Sequence, residues 1–174
     1  AHPERATTPA APDGFALGER LGSGGCAEVF RATELATGRP VALKFAWPND
    51  ARVRLSLLRE RHTLARVAHP SVPRVVAHGE THGRAWLALT LTEGSTLRAW
   101  SRPGGAPREL RDLARCFARL CDALAYLHGE GVVHGDLSPD NVLVNDEGAP
   151  ALLDYGGAAW PAIVGRREAL DAQQ

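Results

Sequence analysis

The sequence predicts an α+β fold, and three observations carry that prediction. Apolar runs separated by turn-rich connectors fill residues 15–93, one stretch of helical periodicity interrupts them at residues 50–67, and a long amphipathic stretch at residues 107–128 leads into a second hairpin. Strands gather in the first half of the chain and helix in the second. With 174 residues, 44% of them hydrophobic, there is material for one domain or for two small lobes, each with a core.

Residues 1–13, AHPERATTPAAPD, are rich in Ala, Pro and Thr without periodicity and read as a disordered tail or linker. From Phe15, FALGERL reads as a strand. Gly22, Ser23, Gly24, Gly25, Cys26 and Ala27 then form a glycine-rich turn, and EVFRATEL returns as a second strand. Glycines at such a tip let backbone N–H groups approach phosphate oxygens with no Cβ between. After the turn at residues 37–40, VALKFA alternates Val41, Leu43 and Phe45 onto one face and leaves Ala42 and Lys44 on the other. Lys44 is the only lysine in a chain that otherwise uses arginine for its fixed positive charge. A compact ammonium reaches a phosphate where a planar guanidinium does not fit, so this lysine reads as having a specific task.

In residues 50–67, Val53, Leu57, Leu64 and Val67 form one stripe, and Glu60 falls inside it. A carboxylate on an apolar helix face is costly unless paired, and Lys44 is the evident partner. AHPSVPRVVAHGE reads as a loop with a short strand, and RAWLALTLTEG as an apolar strand leading to Gly94. The long helix opens with Pro107 in its first turn and stops at Gly129 and Gly131. Leu110, Leu113, Ala114, Phe117, Leu120, Cys121, Leu124 and Leu127 make its expected buried face.

The helix delivers the chain into HGDLSPDNVLV, residues 134–144. Two apolar runs, 142–144 and 151–153, flank the turn-rich NDEGAP and read as an antiparallel hairpin. Asn141 enters that hairpin and Asp154 leaves it, so the two should be neighbours, with Asp136 a short loop away. An amide oxygen beside a carboxylate is a hard donor pair of the kind Mg²⁺ takes, and a separate carboxylate can accept a proton from a hydroxyl. These are the parts of a phosphoryl-transfer site.

Lys+Arg and Asp+Glu are both 20, so no basic excess points to nucleic acid or to a membrane surface, and no apolar run has the length of a transmembrane helix. Cys26, Cys116 and Cys121 fit neither a zinc nor a disulfide spacing. They read as small apolar fillers in a reduced, cytoplasmic protein.

In their order, these segments resemble the protein kinase family over residues 15–155, in its bacterial, eukaryotic-like Ser/Thr branch. The residues that carry the resemblance are GSGGCAEV, VALK, Glu60, AHPSV, LTLTEGSTL, HGDLSPDN and DYG. The resemblance implies a bilobal kinase-like fold, with an antiparallel-sheet lobe with one helix and the hinge at 14–93 and a reduced, mostly helical lobe at 94–174. It implies ATP and Mg²⁺ as cofactors. Lys44 would hold the α- and β-phosphates and pair with Glu60, Asn141 and Asp154 would bind Mg²⁺, and Asp136 would accept the proton of the attacking hydroxyl. Val29, Ala42 and Leu143 would sandwich the adenine. Backbone groups of Thr90 and Thr92 would hydrogen-bond its edge, behind a gatekeeper at Leu89.

The departures shape the expected substrate. Ala27 replaces the third loop glycine, and Gly135 replaces the usual arginine of His-Arg-Asp, so the usual clamp for a phosphorylated activation loop is absent. Ser138 stands where Ser/Thr kinases usually carry a lysine, and the loop also resembles that of small-molecule phosphotransferases. Residues 157–174 hold no recognisable activation-segment anchor, although 166–174 could make a short helix. A truncated or minimal kinase, or a second chain over the uncovered helical face, is therefore expected. Three functions follow: a Ser/Thr protein kinase that autophosphorylates, a small-molecule phosphotransferase, or a non-catalytic interaction module.

Overall fold

A computed structural model of the chain describes residues 8–25 and 27–158. Cys26 in the glycine-rich turn and the short helix expected at 166–174 lie outside the described residues.

Five strands, β1 (Phe15–Ser23), β2 (Ala27–Glu34), β3 (Pro40–Ala46), β4 (Val75–Thr81) and β5 (Arg84–Thr90), form one antiparallel sheet in the order β1-β2-β3-β5-β4. Alternation in β3 does what its sequence predicts. Val41, Leu43 and Phe45 are buried with Phe15, Phe30, Ala32 and Ala88 on one face of the sheet, and Ala42 and Lys44 turn to the other. Residues 8–12 have no regular secondary structure, yet Pro9 and Pro12 are buried. The Phe15 N–H donates to the Pro12 carbonyl at 3.1 Å, which ties this expected tail to the start of β1.

Helix α1 (Ala51–Leu64) packs on the Lys44 face. Asp50 caps it, its carboxylate accepting from the N–H groups of Arg52 and Val53. Val53, Leu57, Glu60 and Leu64 are buried, and Val67 is buried one turn past the helix end. The expected stripe is therefore present, charge included.

The remaining strands and α-helices are β6 (Ser95–Thr96), the single turn α2 (Leu97–Trp100), the long α3 (Leu110–Gly129), and the hairpin β7 (Val142–Val144) and β8 (Pro150–Leu152). β6, β7 and β8 form a small second sheet, with Val142 opposite Leu152 as the hairpin reading requires. One buried cluster runs from Val53 and Leu57 on α1 through Leu87 and Leu89 on β5 to Leu120, Ala123 and Leu127 on α3 and on to Leu152 and Tyr155. One face of the five-stranded sheet thus shares a continuous core with the second sheet, and its other face carries the separate cluster around Leu43 and Phe45.

Two expectations change. The buried stripe of α3 runs through Cys116, Leu120, Ala123 and Leu127, with Leu113 and Leu124 half-buried. Leu110, Ala114, Phe117 and Cys121, expected on the same face, are exposed, Leu110 at 81%. The helix is apolar over a wider arc than one packing partner covers, so periodicity alone merged two edges into one face. Cys121 accordingly fills no core position, whereas Cys116 does.

Candidate active site

The site forms where the Lys44 face of the sheet meets the β7–β8 hairpin. Lys44 projects from β3 beneath α1, and its Nζ donates to Glu60 Oε2 at 2.6 Å and to Asp154 Oδ1 at 2.9 Å. Glu60 is 1% exposed, and its second oxygen accepts from the Tyr155 N–H at 3.4 Å. One ammonium thus joins strand, helix and hairpin across 110 positions of sequence. Burial works against the charge on Lys44, but the carboxylates of Glu60 and Asp154 outweigh it and hold the ammonium above its usual range. Burial pushes the Glu60 carboxyl up, opposed by Lys44. Burial also acts to raise Asp154, and there Lys44, with the Gly156 N–H bond, wins and keeps the carboxyl below its ordinary range.

The hairpin brings Asn141 and Asp154 together as its register requires: the Leu153 N–H donates to the Asn141 carbonyl at 2.8 Å. Asn141 Nδ2 turns toward the loop, donating to the Asp136 carbonyl at 2.8 Å and to Asp136 Oδ2 at 3.1 Å. That leaves Asn141 Oδ1 as an oxygen ligand at the start of the hairpin from which Asp154 emerges, and the Asp154 side chain is 44% exposed. Among the described residues no group of three or more His, Cys, Asp or Glu could hold a metal ion. A pair of hard oxygens with the other positions open to phosphate and water fits Mg²⁺, which dehydrates reluctantly.

His134 braces this arrangement from below. It is 3% exposed; its Nδ1 accepts from the Asp136 N–H at 3.4 Å, so Nε2 carries the proton and donates to the Leu153 carbonyl at 3.0 Å. Burial holds its pKa below the usual imidazole range, which keeps the ring neutral. Its position among the motif residues is visible in the sequence, but this bracing role is not.

Gly135 is the backbone solution to a crowded point. Its φ is +79°, and a Cβ there would lie 2.3 Å from the Gly157 carbonyl oxygen. No side chain fits while the turn after Asp154 lies against the loop at residues 134–141, so contact requires glycine here.

Tyr155 follows Asp154 and is fully buried against His134, with ring centroids 4.8 Å apart. Its hydroxyl has no hydrogen-bond partner among the described residues. Tyr155→Phe is therefore expected to keep or raise stability, by up to about 1 kcal/mol, since a buried hydroxyl without a partner is a net cost. Thermal unfolding of the variant beside wild type checks this, and a clear loss of stability would contradict it.

The remaining expected nucleotide contacts line up along the same cleft elements. Val29 on β2, Ala42 on β3 and Leu143 on β7 are each half-buried, and Ala42 pairs with Leu89 in the sheet. The Thr90 N–H is taken by the Arg74 carbonyl at 2.9 Å, so Thr90 would serve an adenine edge through its carbonyl. Gly22, Ser23, Gly24, Gly25 and Ala27 make the hairpin tip above.

The comparisons with known proteins agree with this layout. The protein kinase domain family matches residues 15–162. The DNA damage-responsive serine/threonine-protein kinase RqkA of Deinococcus radiodurans is 38% identical over 141 residues, covering 78% of this chain and 21% of its own length. The serine/threonine-protein kinase pkn2 of Myxococcus xanthus is 36% identical over 160 residues, covering 84% and 19%. The chain thus spans about a fifth of the length of these relatives. The solved apo form of PpkA-294 superposes with a TM-score of 0.76 at 25% identity, over 87% of this chain and 62% of that one. With the protein kinase domain matched over residues 15–162, and the sheet, the Lys44–Glu60 pair and the hairpin arranged as described, this chain belongs to the protein kinase family.

Proposed function

We propose that this chain is an ATP- and Mg²⁺-dependent Ser/Thr protein kinase domain that transfers the γ-phosphate to a protein hydroxyl, its own included. The observation that carries the reading is the Lys44 ammonium held between Glu60 and Asp154. A cation fixed by a buried carboxylate and facing a second, partly exposed one is built to meet phosphate oxygens.

Each residue then has a task. Lys44 binds the α- and β-phosphate oxygens, and Glu60 keeps it extended from β3. Val29, Ala42 and Leu143 supply the apolar walls for adenine, with the Thr90 carbonyl and Thr92 N–H at its edge. Asn141 and Asp154 are the oxygen donors that would hold Mg²⁺, whose chemistry there is neutralisation of phosphate charge. Asn141 also fixes Asp136 through Oδ2, which leaves Oδ1 for the acceptor. The acceptor oxygen bonds to the γ-phosphorus, the bond to the leaving ADP oxygen breaks, and the acceptor proton passes to Asp136. Catalysis is positioning and charge compensation without a covalent enzyme intermediate. The second polypeptide expected over the helical face would cover Leu110 and Phe117 on α3.

The test is transfer from γ-labelled Mg-ATP, with the chain itself and a Ser/Thr-rich protein as acceptors. Label in protein is the expected result. Label passing only to a soluble small acceptor would make the chain a small-molecule phosphotransferase, and bound nucleotide without any transfer would make it a binding module.

A further inference from the structure

The glycine-rich tip between β1 and β2 has little to hold it. A Cβ placed at Gly22, Gly24 or Gly25 would find no atom within 4 Å, and apart from the ladder the tip keeps a bond from the Gly24 N–H to the Ala27 carbonyl at 2.9 Å. Among the described residues, one side chain reaches it from outside the hairpin. Trp47, just past the end of β3, donates its indole Nε1–H to the Gly24 carbonyl at 3.1 Å. The ring is 8% exposed and belongs to the core cluster that contains α1, so the bond runs from a rigid anchor to an otherwise uncrowded loop.

The same ring is held on a second side. The Arg84 guanidinium stands 5.7 Å from the Trp47 ring, donates Nε to the Ala46 carbonyl at 3.1 Å, and pairs with Glu28 at 3.0 Å. Glu28 is 3% exposed and sits on β2 at the point where the chain leaves the tip. Trp47 and Arg84 thus grip the tip and the strand leaving it from one side.

We propose that Trp47 is a positioning residue for the nucleotide: its indole N–H fixes the height of the glycine-rich tip before ligand arrives. This rests on the reading of the cleft as a nucleotide site. A tip held in place by Trp47 has less conformational freedom to lose when phosphates bind, so the bond acts on affinity rather than on the chemical step. No motif spacing points to this residue; only the fold brings position 47 against position 24.

The decisive experiment installs 3-benzothienylalanine at position 47 alone, which keeps the ring shape and removes the donor, with Trp47→Phe as a second variant. Amide exchange in residues 24–28 of the ligand-free protein reports the pinning without any nucleotide. The exchange is expected to quicken. ATP affinity, measured by calorimetry, is expected to fall about three- to tenfold, the worth of one neutral hydrogen bond, with kcat at saturating ATP unchanged. Unchanged exchange at the tip overturns the proposal, as does faster exchange with unchanged affinity or a fall confined to kcat. If wild type itself binds no ATP, the nucleotide reading and the affinity role of Trp47 both fall, while the exchange data still decide whether the tip is pinned.

Discussion

Replacing Asp136 by Asn is expected to lower phosphoryl transfer by a factor of about 10² to 10⁴, the usual contribution of a positioned general base. ATP affinity and the unfolding midpoint should stay at wild-type values. The carboxylate lies on an exposed loop and shares no hydrogen bond with Lys44, Glu60 or Asp154, so its loss leaves the nucleotide-facing groups in place. An amide at position 136 can still accept from Asn141 Nδ2, which now spans 3.1 Å to Oδ2, so the loop geometry survives. What disappears is the capacity to take a proton. Single-turnover transfer by the variant, with calorimetric ATP binding beside it, separates the two quantities. Transfer at the wild-type rate would remove Asp136 from the mechanism.

The largest stability effect is expected from Lys44→Ala, a loss of about 3–5 kcal/mol at neutral pH, as for breaking a buried ion pair from one side. Glu60 is then buried with neither the ammonium nor any alternative cation at its Oε2. Burial already pushes this carboxyl up, and without Lys44 only the bond from the Tyr155 N–H still opposes it. A folded-state pKa above the unfolded value favours folding at low pH and loses that contribution as pH rises. The deficit of the variant should therefore be greatest near neutrality and narrow as pH falls toward the ordinary carboxylate range. Adding Glu60→Gln to Lys44→Ala should recover part of the loss without restoring ATP use. Urea unfolding of the single and double variants at two pH values checks both statements, and a pH-independent deficit would contradict the first.

Much of the site is legible in the chain because its parts obey short-range rules. The order of β1 to β5, the Glu60 position on the α1 stripe and the hairpin that sets Asn141 beside Asp154 all follow from alternation, helical period and turn chemistry. The lone lysine singled itself out by composition. Where reading by period went astray, as at Leu110, Ala114, Phe117 and Cys121, the helix carried more apolar arc than the described fold covers. A period tells which residues share a face, whereas burial depends on what lies opposite.

By itself, then, the sequence determined the elements, their order and the chemical identity of the groups gathered in the cleft. Only the tertiary structure decided which groups touch. It added Asp154 to the Lys44–Glu60 pair already expected from the sequence, left no space for a side chain at Gly135 beside Gly157, and hung the glycine-rich tip from Trp47. These contacts join residues far apart in the chain, or backbone to backbone. They depend on distances of a few tenths of an ångström, which residue type and spacing do not encode.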